Sequence, residues 1–235
     1  MEREGGPHSE RVMQLRHFES RSELEQAVEA AFRDAWSAPA EPPVALMLTG
    51  GQTPLGVYQR LTQSPLPDPP EPRWIVLSDE RYVPPGSPQH NLRHLEPLLA
   101  ACRIPPERLL AVDTRLPEEQ AERRFCSQLE DFFDQGGQLR LAVLGLGADG
   151  HVAGLFSPAD VQHPAAALRV RRADGLQGIS VGSRVLRRAE QVIFMVRGED
   201  KQPAIRRLLE TPEPFPAGRV FAGHSHTAIW YCPRG

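Results

Sequence analysis

Val44-Ala45-Leu46-Met47-Leu48-Thr49-Gly50-Gly51-Gln52-Thr53-Pro54 is the stretch on which the fold turns. Five consecutive apolar residues with no polar alternation read as a strand covered on both faces. The run stops at Thr49-Gly50-Gly51, and Thr53-Pro54 opens a helical pattern that continues through Leu61. Proline's fixed φ and missing N–H suit the first turn of a helix. The unit is strand, glycine turn, helix.

The same unit recurs on either side. Upstream, Ser20 and Glu23 form a capping-box pattern before a helix that ends near Trp36. Downstream, an apolar strand at 74–77 runs into Ser78-Asp79-Glu80-Arg81, followed by a helical pattern over 91–101. A helix over 117–133 closes at Gly136-Gly137, and the strand at 139–144 ends in Gly145-Leu146-Gly147-Ala148-Asp149-Gly150-His151. A strand at 191–196 passes through Gly198 into a helix over 200–209, and 227–231 reads as a last strand. Apolar strands alternating with amphipathic helices predict an α/β fold. The expected sheet is mostly parallel, doubly wound and Rossmann-like, with helices on both faces and a single domain over 1–235. Such sheets bind ligands beyond the carboxyl ends of their strands, where these turns gather.

Composition narrows the function. A formal net charge of -3 argues against a nucleic-acid partner. No apolar run reaches bilayer-spanning length, so no membrane partner and a cytoplasmic location are expected. Cys102, Cys126 and Cys232 lack ligand spacing and read as reduced thiols. The proline-rich stretches 39–43 and 65–72 read as stiff surface connections. His90 and His94 have the i, i+4 spacing of a metal pair but no intervening glutamate, and read as pocket-edge residues; His224 and His226 read as loop residues. No metal is expected, and the chain should be a monomer or weak homo-oligomer.

Each strand end carries candidate chemistry. The Gly50-Gly51 turn lets a backbone approach an anion at a helix N-terminus, although such turns are more often plain connections. Arg81 offers a planar fork for a phosphate or carboxylate, with Asp79 beside it; a solvated ion-pair cluster reads equally well. Asp149 and His151 sit in a turn with three glycines, and histidine is suited to moving a proton near neutral pH. Of 27 basic residues, Lys201 is the one lysine among arginines. It lies just past a strand end and supplies a compact charge that arginine does not reproduce.

Taken in order, Gly50 to Pro54, Ser78 to Pro84, Gly145 to Phe156 and Gly198 to Lys201 resemble the 6-phosphogluconolactonase family, whose fold is shared by glucosamine-6-phosphate isomerases. The resemblance implies hydrolysis of 6-phospho-D-glucono-1,5-lactone, the second step of the oxidative pentose phosphate pathway, without cofactor or metal. It implies that Gly50, Gly51, Thr53, Arg81 and Lys201 hold the phosphate. His151 would be general base toward water, with Asp149 and Asp79 in the catalytic group. Gln52 replaces the family's small hydroxyl residue and His90 its serine before Asn91, so Gln52 and Asn91 are possible sugar contacts. An arginine expected near Gln177 is missing, and Arg184 is a candidate replacement. The isomerases carry a glutamate five positions after the motif histidine; Phe156 stands there in this chain. Isomerase or deaminase chemistry is therefore the alternative. Sugar-phosphate-sensing domains without turnover are another, but the short stretch before Val12 leaves no room for their DNA-binding helices.

Overall fold

The computed structural model describes residues 13–64, 66–69 and 71–234. Pro65 and Pro70 of the proline-rich connection lie outside the described residues. The strands are Gln14–His17 (β1), Val44–Leu48 (β2), Arg73–Leu77 (β3), Asp79–Arg81 (β4), Leu109–Leu110 (β5), Gln138–Leu144 (β6), Ala167–Arg171 (β7), Gln177–Val181 (β8), Ala189–Arg197 (β9) and Thr227–Cys232 (β10). The helices are Arg21–Ser37 (α1), Leu55–Gln63 (α2), Glu96–Ala101 (α3), Glu118–Asp134 (α4), Pro158–Gln162 (α5), Ser183–Leu186 (α6), Gln202–Glu210 (α7) and Pro216–Val220 (α8).

Seven strands form a wholly parallel sheet in the order β1-β10-β9-β6-β2-β3-β5. The apolar run of β2 explains its central place. Val44, Leu46 and Leu48 pack with Leu24, Phe32, Val57 and Leu98 of α1, α2 and α3. Ala45 and Met47 point the other way, into a core with Phe125, Leu129, Ile205 and Val220 of α4, α7 and α8. Alternate side chains thus serve two cores, the hallmark of a doubly wound α/β sheet. From β2 the chain steps outward to β3 and β5, then returns to β6 on the other flank of β2. That reversal opens a crevice at the carboxyl ends of β2 and β6.

Three elements depart from the expectation. A second sheet, antiparallel in the order β4-β8-β7, grows from the end of β3. Its strands are too short and too broken by charge for sequence periodicity to reveal. The edge strands β1 and β5 are four exposed residues and two residues long, with equally little pattern. The helix over 91–101 divides into a 3-10 turn, Leu92–His94, and α3. Its opening N–H groups are taken by the Glu80 carboxylate, at 2.6 Å from Asn91 N and 2.8 Å from Leu92 N. At α1, Ser20 accepts from Glu23 N at 3.2 Å as expected, but the Glu23 carboxylate returns to the N–H of Glu19 at 3.1 Å.

A buried cation closes the other end of α1. This helix has no basic residue in its last turn. Arg73, 1% exposed, supplies the charge from β3 and donates to the carbonyls of Trp36 at 2.9 Å, Ala38 at 2.5 Å and Glu71 at 3.2 Å. It satisfies carbonyls that the helix end leaves open. Arg73→Met leaves the Trp36 carbonyl without this donor, while Ala38 O keeps Arg140 Nη1 at 2.8 Å, and is expected to cost about 1–3 kcal/mol, read as a lower urea midpoint at unchanged slope.

Candidate active site

The carboxyl ends of β2, β3, β6 and β9 meet around a cleft of about 210 Å³. Thr49, Gly50, Asp79, Arg81, Asn91, Gly145, Leu146, Gly147, His151, Ala153, Arg172 and Lys201 line it. Three cationic side chains thus face one carboxylate in a protein of net charge -3. A second hollow, of about 360 Å³, is lined in part by His90, and there Asp113 pairs both Arg115 and Arg124.

The turn after β6 aims His151. Gly147 N donates to His151 O at 3.0 Å, and Gly150 N donates to Gly147 O at 3.0 Å. Gly150 has φ +81°, and a Cβ there would lie 2.1 Å from the Phe215 ring. A Cβ on Gly147 would strike the His151 ring itself. These two glycines are therefore steric requirements of the turn. Asp149 Oδ1 lies 2.6 Å from His151 Nδ1 and also accepts the His151 backbone N–H at 3.2 Å. Burial works to raise the Asp149 pKa, but the His151 charge and the N–H donors outweigh it and hold the carboxyl below its ordinary range. An ionised Asp149 can only accept, so the ring proton sits on Nδ1 and Nε2 is left as the proton acceptor. The Phe156 ring centroid stands 4.7 Å from that of His151, and the Arg172 guanidinium carbon lies 5.5 Å from the Phe156 ring centroid.

Behind the cleft, Glu80 organises the opposite wall. Its carboxylate, 1% exposed, accepts the backbone N–H groups of Arg81 at 2.9 Å, Asn91 and Leu92. His90 Nδ1 is 3.4 Å away, and His90 Nε2 meets Thr114 Oγ1 at 3.1 Å. Asn91 donates through Nδ2 to Asp79 O at 2.9 Å and to Asp79 Oδ2 at 3.2 Å, while its buried Oδ1 has no partner. Asp79 Oδ1 takes the Ser78 hydroxyl at 2.8 Å. Asn91 also fits beneath Gly50, where a Cβ would come within 2.3 Å of its side chain. Lys201 reaches the cleft from the turn Glu199–Lys201 that follows Gly198, whose φ of +104° reverses the chain.

Of the residues expected from sequence, Gly50, Asp79, Arg81, Asn91, His151 and Lys201 line the cleft. Asp149 stands behind His151, and Gly51, Gln52 and Thr53 lie on the turn next to Gly50 without lining the cavity. Arg184 is elsewhere: on α6 it pairs with Glu130 of α4. The structure offers Arg172 in its place. This residue follows β7 and closes a hairpin with β8 through Arg172 N to Leu176 O at 3.0 Å, with Gly175 at φ +84°. The Asp174-Gly175 pair was a readable hairpin signal. The sequence gives no sign of the contacts that Glu80 and His94 make, since their partners are distant backbone N–H groups.

A family model described as glucosamine-6-phosphate isomerases/6-phosphogluconolactonase matches residues 19–230. The chain belongs to this family. Among its relatives, the 6-phosphogluconolactonase of Thermotoga maritima is 32% identical over 201 residues, 80% of this chain and 83% of that one. The 6-phosphogluconolactonase of Homo sapiens is 29% identical over 204 residues, 80% and 77% of the two chains. The Thermotoga maritima crystal structure matches with a TM-score of 0.81 at 27% identity, covering 94% of this chain and 100% of that one. A monomeric glucosamine-6-phosphate deaminase, 18% identical, shares the fold with a TM-score of 0.75 over 94% and 97% of the chains.

Burial pushes the Glu80 pKa up to about 7, aided by the Asp79 charge and opposed by its N–H donors. A carboxyl with a raised native pKa binds its proton more tightly folded than unfolded. Its contribution to stability is therefore full below its ordinary value of 4.5 and is lost as pH rises through about 7. Glu80→Gln removes that titration and, lacking a second acceptor oxygen, leaves one N–H poorly met. From acid pH to neutrality, wild type should therefore lose stability relative to Glu80→Gln by up to about 3 kcal/mol, read from denaturant unfolding at each pH.

Proposed function

We propose that this protein hydrolyses 6-phospho-D-glucono-1,5-lactone to 6-phosphogluconate, the lactone step of the oxidative pentose phosphate pathway. The observation that carries the reading is an imidazole fixed by Asp149 in a cleft lined by Arg81, Arg172 and Lys201. Three cations suit a phosphoryl dianion, which arginine meets as a fork and lysine as a point charge. The 6-phosphogluconolactonases among the relatives support the same substrate.

In the reaction, His151 Nε2 removes a proton from water as the oxygen attacks the lactone carbonyl carbon. The imidazolium that forms is stabilised by Asp149. Collapse of the tetrahedral intermediate breaks the bond from the carbonyl carbon to the ring oxygen, and Nε2 returns the proton to that oxygen. The sugar acid is released with its carboxyl ionised. Asp79 and the open acceptor of Asn91 are suited to the sugar hydroxyls, with Gln52 at the rim. Gly50, Gly51 and Thr53 shape the turn before α2, whose uncapped first turn presents backbone N–H groups to an anion.

Aldose-ketose isomerisation fits less well. Phe156 offers no proton acceptor and is engaged with His151 and Arg172. No helix among the described residues is long and apolar enough to cross a membrane.

Purified protein is expected to accelerate lactone disappearance well above the spontaneous rate without added metal. His151→Ala should lower kcat by about 10²- to 10⁴-fold. Lys201→Ala and Arg172→Ala should act mainly on KM, because phosphate binding is shared by ground and transition states. A wild-type protein that binds 6-phosphogluconate but leaves the lactone half-life unchanged would identify a binding module instead.

A further inference from the structure

His94 lies three residues beyond Asn91, at the end of the 3-10 turn, half-buried and outside the group that lines the cleft. Its Nδ1 accepts the backbone N–H of Gly51 at 3.1 Å. That contact joins two segments 43 residues apart in the chain. Gly51 has φ +94°, and no heavy atom lies within 4 Å of where its Cβ would be. No side-chain packing therefore holds this position of the turn. Gly50, next to it, is wedged against Asn91 from the same 3-10 segment. One short segment thus grips both glycines, one by contact and one by a hydrogen bond.

We propose that His94 is the positioning residue of the glycine turn, its ring nitrogen fixing Gly51 so that the turn keeps the shape that receives the substrate's phosphoryl group. The proposal rests on the phosphate reading of the cleft given above. Because Gly51 N–H is a donor, Nδ1 must carry a lone pair, so the ring must be neutral with its proton on Nε2. Burial favours that state, and so do the charges of Arg81 from β4 and Arg93 from its own turn, which together hold the His94 pKa below its ordinary value of 6.5. The cradle side offers the ring a backbone N–H. Protonation of Nδ1 would set a donor against a donor. The bond would then be lost as pH falls through the His94 pKa, and the turn would be released. The consequence falls on substrate binding, since His151 and Asp149 sit on a different turn.

The geometry supplies an unusually clean replacement. The Oδ1 of asparagine stands at the same distance along the side chain as the Nδ1 of histidine, and it accepts at every pH. The experiment measures kcat and KM for lactone hydrolysis by wild type, His94→Leu and His94→Asn between about pH 5.5 and 8, and follows the Gly51 amide and His94 ring resonances in the free protein by NMR. In His94→Leu, KM should rise about three- to tenfold at neutral pH, the worth of one hydrogen bond, with kcat changed less. His94→Asn should restore KM and remove the acid-side rise that wild type shows relative to it. Both proteins act on the same substrate and differ at one side chain, so the comparison isolates position 94. The Gly51 amide shift should follow the ring titration in wild type. An unchanged KM in His94→Leu, parallel KM profiles for wild type and His94→Asn, or a Gly51 amide indifferent to the ring would each overturn the proposal. If wild type does not hydrolyse the lactone, the substrate assignment fails. The amide titration and the affinity for 6-phosphogluconate then decide the role of His94 by themselves.

Discussion

A carboxylate removed from water governs how the cleft is assembled. Glu80 ends up inside because it follows β3, one strand in from the β5 edge of the large sheet, and belongs to the first strand of the second one. Once there, it must find donors, since an unpaired buried charge is costly. It finds backbone N–H groups on Arg81, Asn91 and Leu92. Those bonds draw the loop after β4 back over the sheet and set Asn91 beneath Gly50 and His94 beside Gly51. One buried group therefore sets the loop after β4 against the turn after β2. Its native pKa of about 7 expresses the balance between the cost of burial and the donors that offset it.

The other wall obeys a steric rule. The turn after β6 carries glycine where a Cβ would collide with His151 or Phe215, and those vacancies let the Asp149 carboxylate reach the ring. Phe156 then packs against both the imidazole and the Arg172 guanidinium. Phe156, where the resemblance implies a glutamate in the isomerases, thus has a packing role in this chain.

The parallel sheet was legible because buried strands are apolar on both faces and end at glycine or charge, as Val44–Leu48 and the run at 139–144 do. Much of the site was legible for the same reason, since its residues are the first ones past those strands. What escaped was whatever depends on contact rather than pattern. The antiparallel sheet consists of short strands such as Asp79–Arg81, whose alternation is too brief to stand out. Arg172 was hidden among Arg169 and Arg171, and only the hairpin bend brings it to the cleft while Arg184 turns away to Glu130. His94 read in sequence as a pocket-edge residue, and only the fold shows that its ring meets the Gly51 N–H.

The joint between the two sheets has a further consequence. A single residue, Ser78, separates the end of β3 from the start of β4, and it is fully buried. Its N–H donates to Leu48 O at 2.9 Å in the large sheet, and its carbonyl accepts Val181 N at 2.9 Å in the small one. The two sheets are therefore welded at a corner, with no hinge between them at this point. At this corner the cleft wall is held by backbone bonds of both sheets, so exchanging side chains around the rim changes their reach without loosening the joint.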